Sequence, residues 1–347
     1  MPRASTAQSS RPRLYEATAQ GLSAAVKTLP TVWLYDQRGS RLYEQITRLP
    51  EYYLPRREAE ILGERAAEIA ERTRARTLVE LGAGTARNIR FLLDALDAAG
   101  TLERFVPLDV SERPLRASAQ AITEAYPRVS VEPIVGDFER DLGLLPGPGR
   151  RLIAFLGSTI GNLYPEQRGT FLTTVAAALG GDDALLLGID LVKAVARMEA
   201  AYNDSQGVTE AFIRNSLTAV NRELNATFEQ RRFDYEARWD PEREWMEIGF
   251  RARQAQTVSI ERLELELALD EGELLRVEIS SKFRRERFED EAGRAGLRIV
   301  SWWIDRAADF AVAFVVRDRA RKDEISKREE TTWRQENRSA ATSTRSR

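Results

Sequence analysis

The sequence predicts an α/β protein built on a mostly parallel, doubly wound sheet, with an inserted α+β portion. Between residues 57 and 190, apolar runs of strand length alternate with amphipathic segments of helix length. Apolar strands separated by helices are typical of a parallel sheet covered on both faces. The pattern changes at residue 191: residues 191–226 are helical in pattern, and residues 228–281 carry the alternation typical of antiparallel strands.

The predicted elements of the sheet follow in regular order along the chain. An amphipathic helix over residues 57–74 comes first, because its small and aliphatic side chains recur at helical spacing. The other predicted elements are strands at 77–81, 105–109, 129–135, 152–156 and 184–189, with helices at 85–98, 114–126 and 166–179. A helix at 288–295 and strands at 297–304 and 310–317 end the ordered chain and are expected to complete the same sheet.

These patterns divide the chain into two predicted domains and two tails. The tails are rich in Ser, Arg and other polar residues, and such segments bury too little apolar surface to offset their ordering entropy. The predicted boundaries are 57–190 plus 282–318 for the parallel-sheet domain, 14–56 plus 191–281 for the second domain, and 1–13 and 319–347 for disordered tails.

Composition excludes several kinds of chemistry. The 347 residues include no cysteine and no histidine, which removes disulfides, thiolate nucleophiles, Ser-His-Asp triads and Cys- or His-ligated metals. A formal charge of −2 argues against a nucleic-acid partner. No apolar run reaches the ~20 residues of a membrane crossing, and the N-terminal residues lack the apolar core of a signal peptide. We therefore expect a cytoplasmic monomer with a small-molecule substrate, no metal, and no nucleic-acid or membrane partner.

A glycine turn and two acidic strand ends indicate a cofactor site. Gly82 and Gly84 follow the first strand, where glycine lets a ligand approach the backbone. Asp109 ends the second strand and can accept hydrogen bonds from ribose hydroxyls. Asp137 and Phe138 follow the third strand and can hold an adenine by polar contact and stacking. In open α/β sheets, ligands bind beyond the carboxyl ends of the strands, where all of these residues fall.

Each of these signals alone also has a structural explanation, since glycine turns often serve packing and strand-end acids often act as caps. Together, in order, they favour a cofactor that contains adenosine. The third glycine of the dinucleotide fingerprint is missing, because Arg87 stands three residues after Gly84. S-adenosylmethionine (SAM) therefore fits the pattern better than NAD.

Longer motifs carry a resemblance to a known family. The motifs are Tyr35-Asp36-Gln37-Arg38-Gly39-Ser40, Leu49-Pro50-Glu51-Tyr52-Tyr53, Leu81–Thr85, Pro107–Ser111, Gly136-Asp137-Phe138, Phe155–Asn162, Tyr202-Asn203-Asp204, Phe212 with Asn215 and Leu217, and Glu278–Phe283. Over about residues 30–317 the chain resembles the histidine-specific methyltransferases of ergothioneine biosynthesis. The resemblance implies a Rossmann-like class I SAM-methyltransferase core with an inserted α+β substrate-binding domain. It also implies transfer of three methyl groups from SAM to the α-amine of L-histidine, giving hercynine.

The resemblance further implies roles for single residues. Tyr52, Asn162 and Tyr202 fall on positions that hold the amine and carboxylate of the substrate, and Glu278 and Ser280 fall on positions that grip its imidazole. The predicted substrate contacts are completed by Gly157 and Ile248. The predicted cofactor contacts are Gly82, Gly84, Asn88, Asp109, Asp137 and Phe138.

The predicted catalytic residues are Tyr35, Tyr52 and Asn162, and the chemistry asks mainly for positioning. An α-ammonium must lose a proton before its nitrogen attacks a methyl carbon, and a neighbouring sulfonium lowers the pKa of that amine. The remaining task is to align nitrogen, methyl and sulfur. The Tyr35 hydroxyl is expected near the amine, where it assists proton departure, and the aromatic walls suit a product that becomes a quaternary cation.

Glu278 is expected to decide specificity, because a carboxylate can accept the imidazole N–H. The alternative is an ordinary strand-face acid that pairs with Arg276 or Lys282. Two positions depart from the family pattern: Asn88 stands where a Lys is usual, and Ile248 stands where a Met lines the substrate pocket.

Three other functions stay open at this point. The first is the same chemistry on tryptophan, another aromatic amino acid or another free amino acid. The second is a non-catalytic homologue that binds an amino acid. The third, a nicotinamide oxidoreductase, is disfavoured by the missing third glycine and by the absence of a His or Cys acid.

Overall fold

The structure, a computed structural model, describes residues 7–84 and 87–318. The helices in these ranges are α1 Ala7–Ser23, α2 Gln37–Ile46, α3 Leu54–Thr73, α4 Ile89–Ala98, α5 Glu112–Ala125, α6 Pro165–Ala178, α7 Val195–Tyr202, α8 Val208–Leu224 and α9 Arg285–Arg294. The strands are β1 Lys27–Thr28, β2 Thr77–Leu81, β3 Arg104–Asp109, β4 Ser130–Val131, β5 Ile134–Val135, β6 Arg151–Phe155, β7 Ala184–Asp190, β8 Phe233–Asp240, β9 Trp245–Ala252, β10 Gln256–Ile260, β11 Leu265–Leu269, β12 Leu274–Ser281, β13 Leu297–Ile304 and β14 Phe310–Arg317.

The larger sheet has eight strands in the order β13-β14-β7-β6-β2-β3-β4, and β5 also pairs with β3. Strands β7, β6, β2 and β3 run parallel, whereas β14 is antiparallel to β7 and β13 is antiparallel to β14. The expectation that the last two strands complete the first sheet is therefore confirmed. Successive residues of β2 enter two different hydrophobic clusters, with Leu78 in one and Val79 in the other. This alternation places a core on each face of the sheet, which is the doubly wound architecture that the sequence predicts.

The smaller sheet has the order β1-β12-β9-β8 and is built mainly from the insertion. Its three long strands are antiparallel, as predicted, and β10 and β11 form a separate hairpin. The two sheets meet at the ends of β7 and β12, where the Phe283 backbone N–H donates to the Asp190 carbonyl over 2.9 Å. The assignment of the two predicted domains to cofactor and substrate stays a prediction.

Most predicted elements are confirmed within a few residues at each end, but two segments differ. The strand predicted at 129–135 is broken into β4 and β5, because Pro133 lies between them and has no N–H to donate to a sheet. The helical segment predicted at 191–226 is two helices, α7 and α8, separated by a turn. In this turn the Asp204 carboxylate accepts the backbone N–H groups of Gln206, Val208 and Thr209 over 2.8–3.1 Å, and so satisfies the first N–H groups of α8.

The N-terminal tail was predicted to be disordered over residues 1–13, and this is wrong for residues 7–13, which belong to α1. The second half of α1 is anchored, because Thr18 and Leu22 are buried and the Trp33 indole N–H donates to the Thr18 hydroxyl over 2.9 Å. An anchored helix extends in both directions at low cost, because adding a residue is easier than starting a helix. Residues 1–6 and the predicted tail at 319–347 lie outside the described residues. No helix in the described part of the chain has the length and apolarity required to cross a bilayer.

Candidate active site

A cavity of about 630 Å³ opens at the carboxyl edge of the larger sheet. The cavity lies at the end of β2. Strand β3 pairs with β2 on one side, and β6, later in the chain, pairs with β2 on the other. Open α/β sheets bind ligands at such a switch point. The wall residues come from the strand ends, the N-terminal segment and β12, and they include Tyr35, Ser40, Tyr43, Gly82, Gly84, Asp109, Asp137, Phe138, Asn162, Tyr164 and Glu278.

The glycine turn and Asp109 form one end of the cavity. Gly82 and Gly84 have φ angles of +69° and +46°, a left-handed conformation that favours glycine. Both carboxylate oxygens of Asp109 are fixed by backbone, since Gly84 N–H donates to one over 2.9 Å and Ser111 N–H donates to the other over 2.7 Å. A Cβ added at Gly82 would meet no atom within 4 Å, so the space beside the turn is open.

Asp137 and Phe138 line the same end in different ways. The Asp137 carboxylate already accepts from the Arg140 guanidinium over 2.8 and 3.0 Å and from the Glu139 backbone N–H over 2.9 Å. Phe138 is half-buried, and its ring packs against Phe155 with centroids 4.9 Å apart. The ring therefore has support behind it and faces the cavity with its remaining surface.

Asn88, the sixth predicted cofactor contact, is not part of the cavity wall. Its side-chain amide donates to the Glu58 carboxylate over 2.8 Å and to the Pro55 carbonyl over 3.0 Å. The other Glu58 oxygen accepts the Gly157 backbone N–H over 2.7 Å. Gly157, whose φ angle is +71°, is likewise not part of the cavity wall. The hydrogen bond to Glu58 fixes its backbone.

Two buried acids behind the glycine turn were missed from the sequence. Glu58 is 2% exposed, and burial raises its pKa to about 7, although hydrogen bonds from Asn88 and Gly157 oppose the shift. Glu80 has one carboxylate oxygen without a partner among the described residues. Burial, and then the charges of Glu58 and Asp109, raise the pKa of Glu80 well above its usual range. The signal for Glu80 was an acid inside an otherwise apolar strand, whereas nothing in the helical pattern marks Glu58.

A row of aromatic rings leads inward from the cavity. Tyr35 lines the wall and meets Tyr43 and Phe212 edge-on, with centroids 6.0 and 5.6 Å away. Tyr43 then meets Tyr52 at 6.5 Å, and Tyr52 meets Tyr202 at 6.1 Å. Tyr52 and Tyr202 are buried and lie behind the wall. Sequence analysis singled out three of these tyrosines but missed Tyr43, which carries no motif of its own.

The N-terminal motif holds Tyr35 in place. Asp36 is the N-cap of α2 and accepts the Gly39 backbone N–H over 2.8 Å. The same carboxylate oxygen accepts from the Asn215 side chain of α8 over 2.7 Å. A Cβ added at Gly39 would lie 1.6 Å from the Leu34 carbonyl oxygen, so only glycine fits this close approach.

Glu278 reaches the cavity from β12 without a partner. The half-buried carboxylate makes no hydrogen bond or ion pair with the described residues, while burial raises its pKa to about 7 and Lys282 opposes the shift. The alternative pairings are taken elsewhere, because Arg276 donates to Glu247 over 2.9 Å and Lys282 pairs with Asp190 at 2.7 Å. Ile248 is the register partner of Glu278 on β9 and is fully buried behind the wall.

The side chains of Asn162 and Ser280 differ in their hydrogen-bond partners and in their place relative to the cavity wall. Asn162 ends a 3₁₀ turn after β6, lines the cavity, and has no side-chain hydrogen bond to the described residues. Ser280 is 2% exposed and does not line the wall; its hydroxyl lies 2.8 Å from the Tyr202 hydroxyl and accepts from Lys282 over 2.8 Å. The structure thus brings Tyr35, Asn162 and Glu278 together on the wall and places Tyr52, Tyr202, Ser280 and Ile248 behind it.

This arrangement fits a nucleoside cofactor with a cationic centre. Asp109 keeps lone pairs towards the cavity for ribose hydroxyls, the open turn at Gly82 admits a ligand, and Phe138 offers a ring face. A cation beside the turn would favour the ionised forms of Glu58 and Glu80, whose pKa values are raised by burial. A doubly wound sheet binds nucleotide cofactors at its switch point, and class I SAM-dependent methyltransferases are the class in which such a cofactor carries a cationic centre.

Comparison with known proteins gives the family. Residues 14–317 match the family described as "Histidine-specific methyltransferase, SAM-dependent", and the chain belongs to it. The protein named histidine N-alpha-methyltransferase in Mycolicibacterium smegmatis is 50% identical over 297 residues, which cover 86% of this chain and 92% of that one. The protein of the same name in Mycobacterium tuberculosis is 48% identical over 297 residues, which also cover 86% of this chain and 92% of that one. "Ergothioneine biosynthesis protein 1" of Neurospora crassa is 31% identical over 80% of this chain and 32% of its own length.

Proposed function

We propose that this enzyme methylates the α-amine of L-histidine three times to give hercynine, the first step of ergothioneine biosynthesis. The observation that carries the proposal is the unpartnered Glu278 carboxylate on the wall of a cavity that also fits SAM. An N–H of the substrate side chain would satisfy this acid, whereas a purely apolar side chain would leave it desolvated and unpaired. The family match and the names of the two mycobacterial relatives support histidine as that substrate.

The cofactor end of the cavity has defined tasks in this proposal. SAM, when bound, supplies a methyl carbon made electrophilic by the adjacent sulfonium. Asp109 accepts hydrogen bonds from the ribose hydroxyls, and Gly82 and Gly84 let the backbone approach the ligand. Phe138 stacks on the adenine, and Asp137 accepts from its amino group while keeping its contact with Arg140. Asn88 acts indirectly, through Glu58.

The substrate end orients the amino group. The free side-chain amide of Asn162 holds the carboxylate or amine of the substrate at the wall. Burial, followed by the charge of Glu278, raises the pKa of Tyr35 well above its usual value. At neutral pH the Tyr35 phenol is therefore neutral: it accepts a hydrogen bond from the ammonium and orients the free amine, and it is not a strong base. Tyr52 and Tyr202 support this wall from behind, while the rings of Tyr35 and Tyr43 line the cavity and face a substrate that ends as a quaternary cation.

Mass spectrometry with an amino-acid mixture tests the proposal. The purified protein is incubated with SAM and equimolar free amino acids, together with Nα-acetylhistidine as a control substrate whose amine is blocked. We expect one, two and three methyl additions on histidine and none on the acetylated control. Methylation of another amino acid would keep the chemistry and assign Ile248 a role in changed specificity. No methylation of any amino acid would overturn the proposal in favour of a binding protein.

A further inference from the structure

The chain turns sharply, with an unusual backbone conformation, directly after β6. The Thr159 backbone N–H donates to the Leu156 carbonyl over 3.4 Å and closes a four-residue turn. Its two central residues, Gly157 and Ser158, have φ angles of +71° and +58°. Positive φ at both central positions is the signature of a type I′ turn, which is dominated by Gly, Asn and Asp. Ser158 therefore holds a left-handed conformation that a serine adopts only at a cost in free energy.

The hydroxyl of Ser158 anchors this turn to the neighbouring strand. Ser158 is 2% exposed, and its hydroxyl oxygen accepts the backbone N–H of Asp190, at the end of β7, over 3.0 Å. A glycine would adopt the same φ without strain, but it would have no acceptor for this N–H. The serine thus supplies a contact between β6 and β7 that a glycine cannot supply.

Other elements fix the same turn from different sides. The Gly157 backbone N–H donates to Glu58 of α3 over 2.7 Å, and the Gly161 backbone N–H donates to the Ser158 carbonyl over 2.8 Å. A Cβ added at Gly161 would lie 2.8 Å from the Ser281 carbonyl oxygen, so the backbone of the turn lies against the end of β12. A strained backbone persists only where its surroundings fix it in this way, and such positions cluster at functional sites.

The fixed turn leads directly into the 3₁₀ turn that carries Asn162. Asn162 and Thr159 line the cavity, whereas Gly157, Ser158 and Gly161 are not part of its wall. The Asn162 side chain makes no hydrogen bond to the described residues. The direction of its amide therefore depends on the position of the backbone that carries it.

We infer that Ser158 is a positioning residue, which fixes the turn after β6 so that the Asn162 amide is directed at the amine or carboxylate of the substrate. This inference rests on the proposed function and adds to it a residue that does not touch the substrate. Two successive glycines would sample many conformations, whereas a serine bonded to Asp190 holds one. The turn is then in place before the substrate binds, so that binding does not have to order it.

Glu264 offers a matched control at the other end of the chain. It has a φ angle of +50° and is exposed. It lies in the turn between β10 and β11, and no described residue of that hairpin lines the cavity. Glu264→Gly relieves the same kind of backbone strain as Ser158→Gly, but only Ser158→Gly removes an anchor beside the cavity.

Steady-state kinetics and urea unfolding of the two glycine variants separate a positioning role from a purely structural one. In Ser158→Gly we expect kcat/KM for histidine to fall by about tenfold, the loss of roughly one oriented hydrogen bond. The urea midpoint should stay close to that of wild type, because relief of the strain offsets the lost hydrogen bond. Glu264→Gly should keep kcat/KM within about twofold. Wild-type kcat/KM in Ser158→Gly would overturn the inference, and so would an equal loss in Glu264→Gly.

Calorimetry of S-adenosylhomocysteine binding shows whether the change is confined to the substrate end of the cavity. The affinity should be the same in wild type and in Ser158→Gly, because Asp109 and the glycine turn after β2 lie on other strands. A loss of affinity as large as the loss in kcat/KM would mean that the whole cavity is disturbed, and it would contradict a role through Asn162.

A double-mutant cycle tests the path through Asn162. In an Asn162→Ala background, Ser158→Gly should cost about twofold or less, because the amide that it positions is already absent. Full additivity would contradict the inference. If Ser158→Gly does not fold, Ser158→Ala takes its place, since it keeps the β-carbon and lacks the acceptor; the same kinetic loss is expected, with a lower urea midpoint. A wild-type protein that methylates no histidine would instead end the proposed function, and the inference with it.

Discussion

At the scale of single residues, the acids of the cavity differ in what satisfies them. Asp109 is fixed by two backbone N–H groups and Asp137 by a guanidinium, so both are held in place before any ligand binds. Glu278 has neither kind of partner, and burial raises its pKa to about 7. An unsatisfied acid on a cavity wall lowers the stability of the free protein and is compensated when a ligand donates to it. These differences support the proposed roles, in which Glu278 discriminates among substrates and Asp109 anchors the cofactor.

Replacement of Glu278 with Ala is expected to weaken histidine binding by roughly tenfold to a hundredfold, the range for a hydrogen bond to a charged group. Isothermal titration of histidine into the complex with S-adenosylhomocysteine measures this loss. The affinity for S-adenosylhomocysteine itself should not change. Glu139→Ala is the control, because Glu139 also lines the cavity but carries no role in the proposal. Unchanged histidine affinity in Glu278→Ala would remove this acid from the substrate site.

The same acid predicts the pH dependence of histidine binding. The carboxylate form of Glu278 accepts the ring N–H, so binding is complete above its pKa of about 7 and is lost as the pH falls through that value. The free imidazole also gains a proton near ~6.5, which acts in the same direction. In Glu278→Gln, the step of Glu278 should disappear from the profile of kcat/KM against pH, while the steps of the substrate's imidazole and α-amine remain. A profile that is identical in wild type and variant would contradict this assignment.

At the scale of secondary-structure elements, Glu58 connects three segments of the chain. It lies on α3, accepts from Asn88 at the start of α4, and holds the Gly157 backbone after β6. The pKa of Glu58 in the folded protein is about 7, above its usual 4.5, so the folded state binds the proton more readily than the unfolded state does. The fold is therefore favoured as the pH falls below about 7, and this contribution is lost as the pH rises through 7.

Glu58→Gln removes this titration. Wild type loses this contribution as the pH rises from about 5 to about 8 and the variant does not, so the free energy of unfolding of the variant should increase relative to that of wild type by at most about 3 kcal/mol. A constant offset is expected at all pH values, because the Gln amide cannot accept from both donors. Urea unfolding at several pH values measures the difference. A difference that does not vary with pH would mean that folding does not raise the pKa of Glu58.

Two helical glycines should respond to alanine with opposite sign. The Cβ at Gly39 would lie 1.6 Å from a backbone oxygen, so Gly39→Ala must displace α2 and the adjoining Tyr35, at a cost of about 2–4 kcal/mol. Gly169, within α6, has no atom within 4 Å of an added Cβ, and Gly169→Ala should stabilise by about 1 kcal/mol. Denaturant unfolding measures both. Similar effects of the two changes would mean that the backbone of Gly39 does not lie close to the Leu34 carbonyl oxygen.

At the scale of the whole molecule, the sequence predicted what depends on local pattern. Buried strands such as β6 and β7 are continuous apolar runs. The order of the strands along the chain then places the glycine turn and Asp109 at the carboxyl ends of neighbouring strands. Contacts between distant segments carry no such signal. The pairing of β1 with β12, the ion pair of Asp190 with Lys282, and the contact of Glu58 with Gly157 join residues far apart in the chain. Sequence analysis therefore named several residues that line the cavity, such as Asp109, Asn162 and Glu278, but it did not predict that Tyr52, Tyr202 and Ser280 lie behind the wall. The roles of these residues stay predictions.

Because the cavity is built from both sheets and the N-terminal segment, cofactor binding should stabilise the molecule as one unit. A ligand that binds only the folded state adds about 2.7 kcal/mol at a hundredfold excess over its Kd, which corresponds to a rise in Tm of roughly 4 °C in a chain of this size, at an unfolding entropy of about 2.1 cal/mol/K per residue. Scanning calorimetry with S-adenosylhomocysteine should show a single unfolding transition at a higher temperature. Asp109→Ala should reduce the shift to near zero at the same ligand concentration, because the ribose loses its acceptor. Asp97→Ala, which alters a surface pair with Arg128, is the control and should keep the shift. Two transitions of which only one moves would show that the sheets unfold independently and that the ligand contacts only one of them.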